Sequence, residues 1–216
     1  LWPRNYRTSL LKEGVGKYID ILSIHYGNGQ GILEAKEDLE VNGLNSVLVW
    51  DNETAHGLST WNVPAQERIR PDYQCNWVLD QWSDELIAGA DRIIYFGGQG
   101  EPCGNWSLMM GGMNPRPVAV TIALMAAKLN KAKPLGKFFI GEKGVFHLFE
   151  KDGRPVLLAS INGAGEGKDF YAEDTETAAI PIKVGSAEVV VSDYQGNETK
   201  VKTSDATAQL SLMKRK

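Results

Sequence analysis

The sequence predicts an α/β fold followed by an all-β one: the last three βα units of a (β/α)8 TIM barrel over residues 1–133, then a C-terminal antiparallel β-sandwich over 134–216. Three observations lead there. Strand-like and helix-like segments alternate three times up to about Leu129, and the strands are apolar on both faces, as in parallel sheets covered by helices. Past Pro134 the chain reads as short strands spaced about ten residues apart, the signature of a small sandwich. Three βα units fall far short of the roughly 250 residues of a closed barrel, and an open three-stranded parallel sheet leaves its edges bare. A missing N-terminal part of the same polypeptide is therefore expected.

Residues 5–13 read as a short helix stopped by Gly14, since glycine is favoured just past a helix end. Tyr18 to Tyr26 reads as the first strand, followed by the loop Gly27-Asn28-Gly29-Gln30-Gly31. Ile32 to Val41 is helical, and Asn42-Gly43 stops it. Val47-Leu48-Val49-Trp50-Asp51-Asn52-Glu53-Thr54 is the second strand, with Glu53 at its carboxyl end. Pro71 suits a first helical position. The helix from there to Ala88 carries Tyr73, Trp77, Val78, Trp82 and Leu86 on a broad apolar face. Asp91 to Phe96 is the third strand, leading into Gly97-Gly98-Gln99-Gly100-Glu101-Pro102. Val118, Ile122, Met125 and Leu129 mark the buried stripe of one more helix. The later strands are expected at Val145–Glu150, Val156–Ile161, Ala179–Val184, Glu188–Asp193, Thr199–Thr203 and Ala208–Met213. Asp152-Gly153 and Gly196-Asn197 are hairpin-type turn pairs.

The composition is that of an ordinary globular protein, 43% hydrophobic and 23% charged over 216 residues. A net charge of −4 gives no electrostatic case for nucleic acid or an anionic membrane. No apolar run reaches the ~18 residues of a membrane span. Cys75 and Cys103 supply neither the ligand number nor the company of a zinc site, so no metal and no cofactor is expected. Whether the two are bonded is not decided by the sequence.

Chemistry in parallel α/β folds sits at the carboxyl ends of the strands, which is where Glu53 falls. The plain alternative is a strand-end glutamate that faces water. Asp51, two residues earlier, is expected on the same strand face. A spacing of about 6–7 Å along a strand suits a close-set catalytic carboxylate pair poorly, so Asp51 is assigned a structural or hydrogen-bonding role.

Four short motifs in order resemble the retaining clan A glycoside hydrolases, the xylosidase-, mannanase- and cellulase-like barrels. Asp20-Ile21-Leu22-Ser23-Ile24-His25-Tyr26 is similar to their sixth strand. Trp50-Asp51-Asn52-Glu53-Thr54-Ala55-His56-Gly57 is similar to the end of their seventh, where the nucleophilic Glu lies. Trp106-Ser107-Leu108 and Pro115-Arg116-Pro117 are similar to the elements after the eighth. In many relatives a residue separates the strand-six His and Tyr, whereas His25 and Tyr26 are adjacent, so one must point differently. The resemblance implies a glycosidase acting on a carbohydrate substrate with Glu53 as nucleophile. It places the acid/base Glu upstream of Leu1, which leaves this piece alone inactive, and it slightly favours a secreted or periplasmic setting. His25, Tyr26, His56, Trp61 and Trp106 are the expected substrate-binding or supporting residues. His25 or Tyr26 would donate a hydrogen bond to Glu53, and the two Trp would stack on sugar faces.

Two other classes remain open. Gly98, Gly100 and Gly104 suggest a phosphate-binding barrel isomerase or aldolase, since such loops approach phosphate closely. A non-catalytic carbohydrate-binding piece would make the sandwich the working part.

Overall fold

A computed structural model describes residues 4–55, 71–97, 107–109, 114–142, 144–161 and 175–215. The chain runs α1 (Arg4–Lys12), a 3-10 turn (Val15–Tyr18), β1 (Ile21–His25), α2 (Gly29–Val41), β2 (Leu48–Thr54), α3 (Pro71–Ile87), β3 (Arg92–Tyr95) and α4 (Pro117–Leu129). Then come β4 (Lys133–Ile140), β5 (Gly144–Lys151), β6 (Arg154–Ile161), β7 (Thr175–Lys183), β8 (Glu188–Ser192), β9 (Glu198–Lys202) and β10 (Thr207–Arg215). The fold is mixed α/β with several antiparallel sheets.

β1, β2 and β3 form one sheet in that order, all parallel. Their helix-facing side chains, among them Leu22, Ile24, Val49 and Ile93, pack with Leu11, Ile32, Ala35 and Leu39 of α1 and α2. β1 is shorter than the expected Tyr18–Tyr26, because Val15–Tyr18 winds as a 3-10 turn and Tyr26 leaves the strand at φ +49°. α2 begins earlier than Ile32: Asn28 is extended and its side chain accepts the Gly31 N–H at 2.8 Å, a side-chain cap that draws the glycines into the helix. Among the described residues no element packs on the sheet's opposite face. Ile21, Leu48, Ile94 and Phe96 are exposed on it, and the Arg92 guanidinium lies 4.3 Å from the centre of the Trp50 ring.

β4, β5 and β6 form an antiparallel meander, while β7 pairs with β10 and β8 with β9. β4 is an element that the sequence reading lacked. The meander is covered on both faces. Phe149, Val156 and Leu158 pack with Val78, Trp82, Val118 and Met125 of α3 and α4. Phe146, Phe138 and Leu157 point the other way, into a core with Ile180, Ile182 and Ala208. Polar contacts fasten the helix side: His147 Nε2 donates to Asp84 at 2.7 Å, Lys137 Nζ donates to Asp84 at 2.9 Å, and Ser160 Oγ donates to Asp80 at 3.1 Å. α4 is likewise tied to the β8–β9 turn, where the buried Thr121 hydroxyl reaches the Tyr194 carbonyl at 2.8 Å. Among the described residues no helix is long and apolar enough to cross a membrane.

Two outcomes test this layer. Phe149, fully buried between α3, α4 and the meander, should cost about 3–5 kcal/mol on replacement by Ala, read as a lowered denaturant midpoint; an unchanged midpoint would mean that the helix–meander core contributes nothing. Burial raises the Asp84 pKa, but the hydrogen bonds and charges of His147 and Lys137 outweigh it and leave it below its ordinary value. Its contribution is present above the unfolded carboxyl pKa of about 3.9 and is lost as pH falls through the lower folded one. Asp84→Asn should therefore destabilise at neutral pH and remove part of the acid dependence of the midpoint.

Candidate active site

β2 holds one residue more than either neighbour. Ile24 pairs with Asp51 but His25 pairs with Glu53, and on the other side Asp51 pairs with Ile93 but Thr54 with Tyr95. The register therefore slips by one residue between Asp51 and Thr54, as in a β-bulge, which re-aims side chains. Asp51 and Thr54 both point to the buried, helix-covered side. Glu53 turns to the opposite side, beside His25. This corrects the expectation that Asp51 and Glu53 share a strand face: simple alternation is broken at the bulge.

His25 Nδ1 stands 3.2 Å from Glu53 Oε2, with 51% of the His25 side chain and 31% of the Glu53 side chain exposed. Both lie at the carboxyl ends of parallel strands. Tyr26 carries the pairing one step further through its backbone, its N–H donating to the Glu53 carbonyl at 2.7 Å. Its left-handed backbone takes the chain out of strand geometry there. The adjacency of His25 and Tyr26 is thus resolved by the backbone. His25 keeps the strand position facing Glu53, and Tyr26 forms the turn.

Under this pair lies a buried polar layer. Asp51 is fully buried, and its Oδ2 accepts the Gly27 N–H at 2.6 Å while Oδ1 accepts the Glu53 N–H at 3.3 Å. Gly27 has no room for a side chain: a Cβ there would stand 2.6 Å from Ile24 Cδ1 and 2.9 Å from Asp51 Oδ2. From α3, Gln81 Nε2 donates to the Gly27 carbonyl at 2.7 Å and to Glu85 Oε1 at 3.0 Å. Glu85 is fully buried. Burial, then the charge of Asp51, push its carboxyl up to about 8, against the hydrogen bond from Gln81. Burial also raises the Asp51 pKa, opposed by the Gly27 and Glu53 amides.

Of the sequence-predicted residues, the structure brings together Glu53, His25 and the Tyr26 backbone. His56, Trp61 and Trp106 lie outside the described residues, as do Cys103 and the glycines Gly98, Gly100 and Gly104. Cys75 is buried in α3. Among the described residues no group of three or more His, Cys, Asp or Glu is arranged to hold a metal ion. Sequence reasoning missed Gln81 and Glu85. The signal was available, because Glu85 falls on the same helical stripe as Val78 and Trp82, a carboxyl among core positions.

No family model and no curated protein matches the chain. Among solved structures it is similar to a family 39 glycoside hydrolase from the gut symbiont Bacteroides cellulosilyticus WH2, with a TM-score of 0.65 and 16% identity. The likeness is one of fold. It covers 96% of this chain and 46% of that one, so the chain spans less than half the length of its structural relative. An α-amylase from Anoxybacillus matches at a TM-score of 0.38 and 10% identity, over 99% of this chain and 61% of that one, and carries no argument.

The Glu85 shift has a stability consequence of definite sign. A folded pKa of about 8 lies above the ordinary glutamate value of 4.5, so the folded state keeps a proton that the unfolded chain has released. Stability should fall as pH rises between those values, by on the order of 1.4 kcal/mol for each unit of difference. Glu85→Gln should flatten that slope in denaturant midpoints measured across the same range. An identical slope in the variant would show that Glu85 does not carry it.

Proposed function

We propose that this chain is the C-terminal portion of a retaining glycoside hydrolase, cleaving O-glycosidic bonds in oligo- or polysaccharides with Glu53 as nucleophile. The observation that carries this reading is the Glu53–His25 pair, 3.2 Å apart and open to solvent at the carboxyl ends of parallel strands. The fold-level similarity to a family 39 glycoside hydrolase supports it, as does the resemblance of the strand motifs to clan A.

In a double displacement, a Glu53 oxygen attacks the anomeric carbon as a second carboxyl protonates the departing oxygen and the glycosidic bond breaks. Water then attacks the glycosyl ester, giving its proton to that second carboxylate, and Glu53 is released. The His25 imidazole, 3.2 Å away, is placed to stabilise negative charge on Glu53 as it leaves the sugar. Asp51 does not serve as the second carboxyl, since it is fully buried on the other side of the strand. We assign that role to a carboxyl on barrel strands outside this chain. The apolar face of Ile21, Leu48, Ile94 and Phe96 fits the inside of such a barrel, whose interior is filled by branched and bulky side chains. The antiparallel strands of residues 134–216 are read as a domain appended to a barrel piece of residues 1–133.

The test belongs to the parent enzyme. A fluorosugar that traps the glycosyl-enzyme should label Glu53, and Glu53→Ala should lower turnover by several orders of magnitude with azide restoring an inverted product. Labelling of a different carboxylate removes Glu53 from the role. His25→Ala removes the imidazole beside the nucleophile and should cost about 1.5–3 kcal/mol in kcat/KM, the size of one polar contact to a charged group, roughly ten- to 150-fold; a loss as large as that of Glu53→Ala would mean that His25 does more than support the nucleophile.

A further inference from the structure

Two carboxyl groups are buried together beneath the His25–Glu53 pair. Asp51 and Glu85 are both fully buried and lie within hydrogen-bonding reach of each other. Asp51 is supplied with donors by the Gly27 and Glu53 amides. Glu85 receives one donor, Gln81, at Oε1, and its Oε2 is buried with no hydrogen-bond partner. An ionised carboxylate in that position leaves an oxygen without a donor beside a second negative charge, a costly arrangement. Protonation turns the same group into a donor, and Asp51 is the acceptor next to it.

We propose that Asp51 and Glu85 share one proton and that Glu85, acting through Asp51 and Gln81, is a positioning residue that fixes the Gly27 turn and with it the His25–Glu53 pair. The effect on catalysis rests on the reading of Glu53 given above; the proton sharing does not. The Gly27 peptide is gripped from both sides, its N–H by Asp51 at 2.6 Å and its carbonyl by Gln81 at 2.7 Å. The second N–H of that Gln81 amide is spent on Glu85. Because Gly27 follows His25 by two residues, and Asp51 also receives the Glu53 amide, one layer sets both sides of the pair. The bare Cα of Gly27 is what lets this layer close, since a Cβ meets Ile24 and Asp51.

When the shared proton leaves to solvent, the layer holds a second negative charge. The groups that face it are Asp51 and Glu53 on β2, His25 on β1 acting on Asp51, and Asp84 next along α3. Only His25 among these lowers the cost, and it does so through Asp51. The two carboxylates then repel, and the Gln81–Gly27–Asp51 grip opens. The upward displacement of the Glu85 carboxyl to about 8 by burial agrees with this.

The experiment follows the Gly27 amide and the His25 imidazole by NMR, and the carbonyl band of a protonated carboxyl by infrared spectroscopy, from about pH 6 to about pH 10. The wild-type chain should show the band at the acid end, lose it at the alkaline end, and move the Gly27 and His25 resonances together with it. In Glu85→Gln, which keeps a donor for Asp51 and has no proton to lose, both the band and the Gly27 inflection should disappear. In Asp51→Asn the remaining acid loses its charged neighbour, and its midpoint should drop by about one pH unit or more. No band at about pH 6, or a Gly27 inflection of unchanged midpoint in Glu85→Gln, overturns the proposal. If Glu85→Gln does not fold, the wild-type band and the Asp51→Asn midpoint decide it. Should the fluorosugar label miss Glu53 while these titrations behave as stated, the shared proton stands and only its catalytic role falls.

Discussion

Because β2 carries one residue more than its two neighbours between the Asp51 and Thr54 pairings, the alternation of its side chains is broken once, and three consequences follow from that break. Thr54 and Asp51 both reach the helix-covered side, so the second buried polar group at the strand end is the Thr54 hydroxyl instead of the Glu53 carboxylate. Glu53 is freed to stand beside His25 on the open side. The Glu53 amide is brought within reach of Asp51, so that the strand end is held from below by its own side chain. A regular strand would bury Glu53 with Asp51 and leave no solvent-facing carboxylate at this position.

The arrangement sorts three carboxyl groups by environment. Glu53 is partly exposed and has a histidine beside it. Asp51 is buried but receives two backbone amides, which suits a charged group. Glu85 is buried with a side-chain amide at one oxygen and nothing at the other, which suits a neutral one. Pairs of titratable groups whose surroundings push them apart in this way are characteristic of sites with assigned proton states. The two buried members differ in the donors they receive, and the one left short of donors is the one whose burial favours the neutral form.

How much of this was legible depends on what kind of signal each feature leaves. The βα units were legible because their periods are strong, as in the stripe of α4 and the apolar runs of β1 and β2, and because Asn42-Gly43 marks the end of α2; the Asn28 cap was read as loop. β4 was not, since Pro134 and Gly136 read as a break. At the edge of a meander, where one side of the strand makes no ladder, both residues are tolerated. The short strands after it were legible one by one, but their grouping into separate small sheets is a matter of long-range pairing that turn spacing does not encode. At the site, Glu53 and His25 were legible from their strand-end positions. The bulge was not, because alternation assumes regular register and the extra residue shows only against the neighbouring strands. Gln81 and Glu85 were not singled out, because a helix read for its apolar stripe does not show which polar side chains lie beneath a strand end.

α3 joins these levels. Its Gln81 and Glu85 serve the layer beneath Glu53, while Asp80 and Asp84, one position earlier in each turn, meet Ser160, His147 and Lys137 of the meander. Asp84 and Glu85 are adjacent and make opposite demands. The first is stabilised as an anion by a lysine and a histidine, and the second is held neutral by burial. An uncompensated charge on Asp84 would raise the Glu85 pKa further, since like charges disfavour ionisation, and would leave α3 with an unpaired anion against the meander. Lys137 and His147 supply that compensation from β4 and β5. The meander therefore does more than cover apolar surface. It fixes the charge state of one face of α3, and the adjoining face of the same helix turn presents the neutral acid on which the Gly27 turn rests.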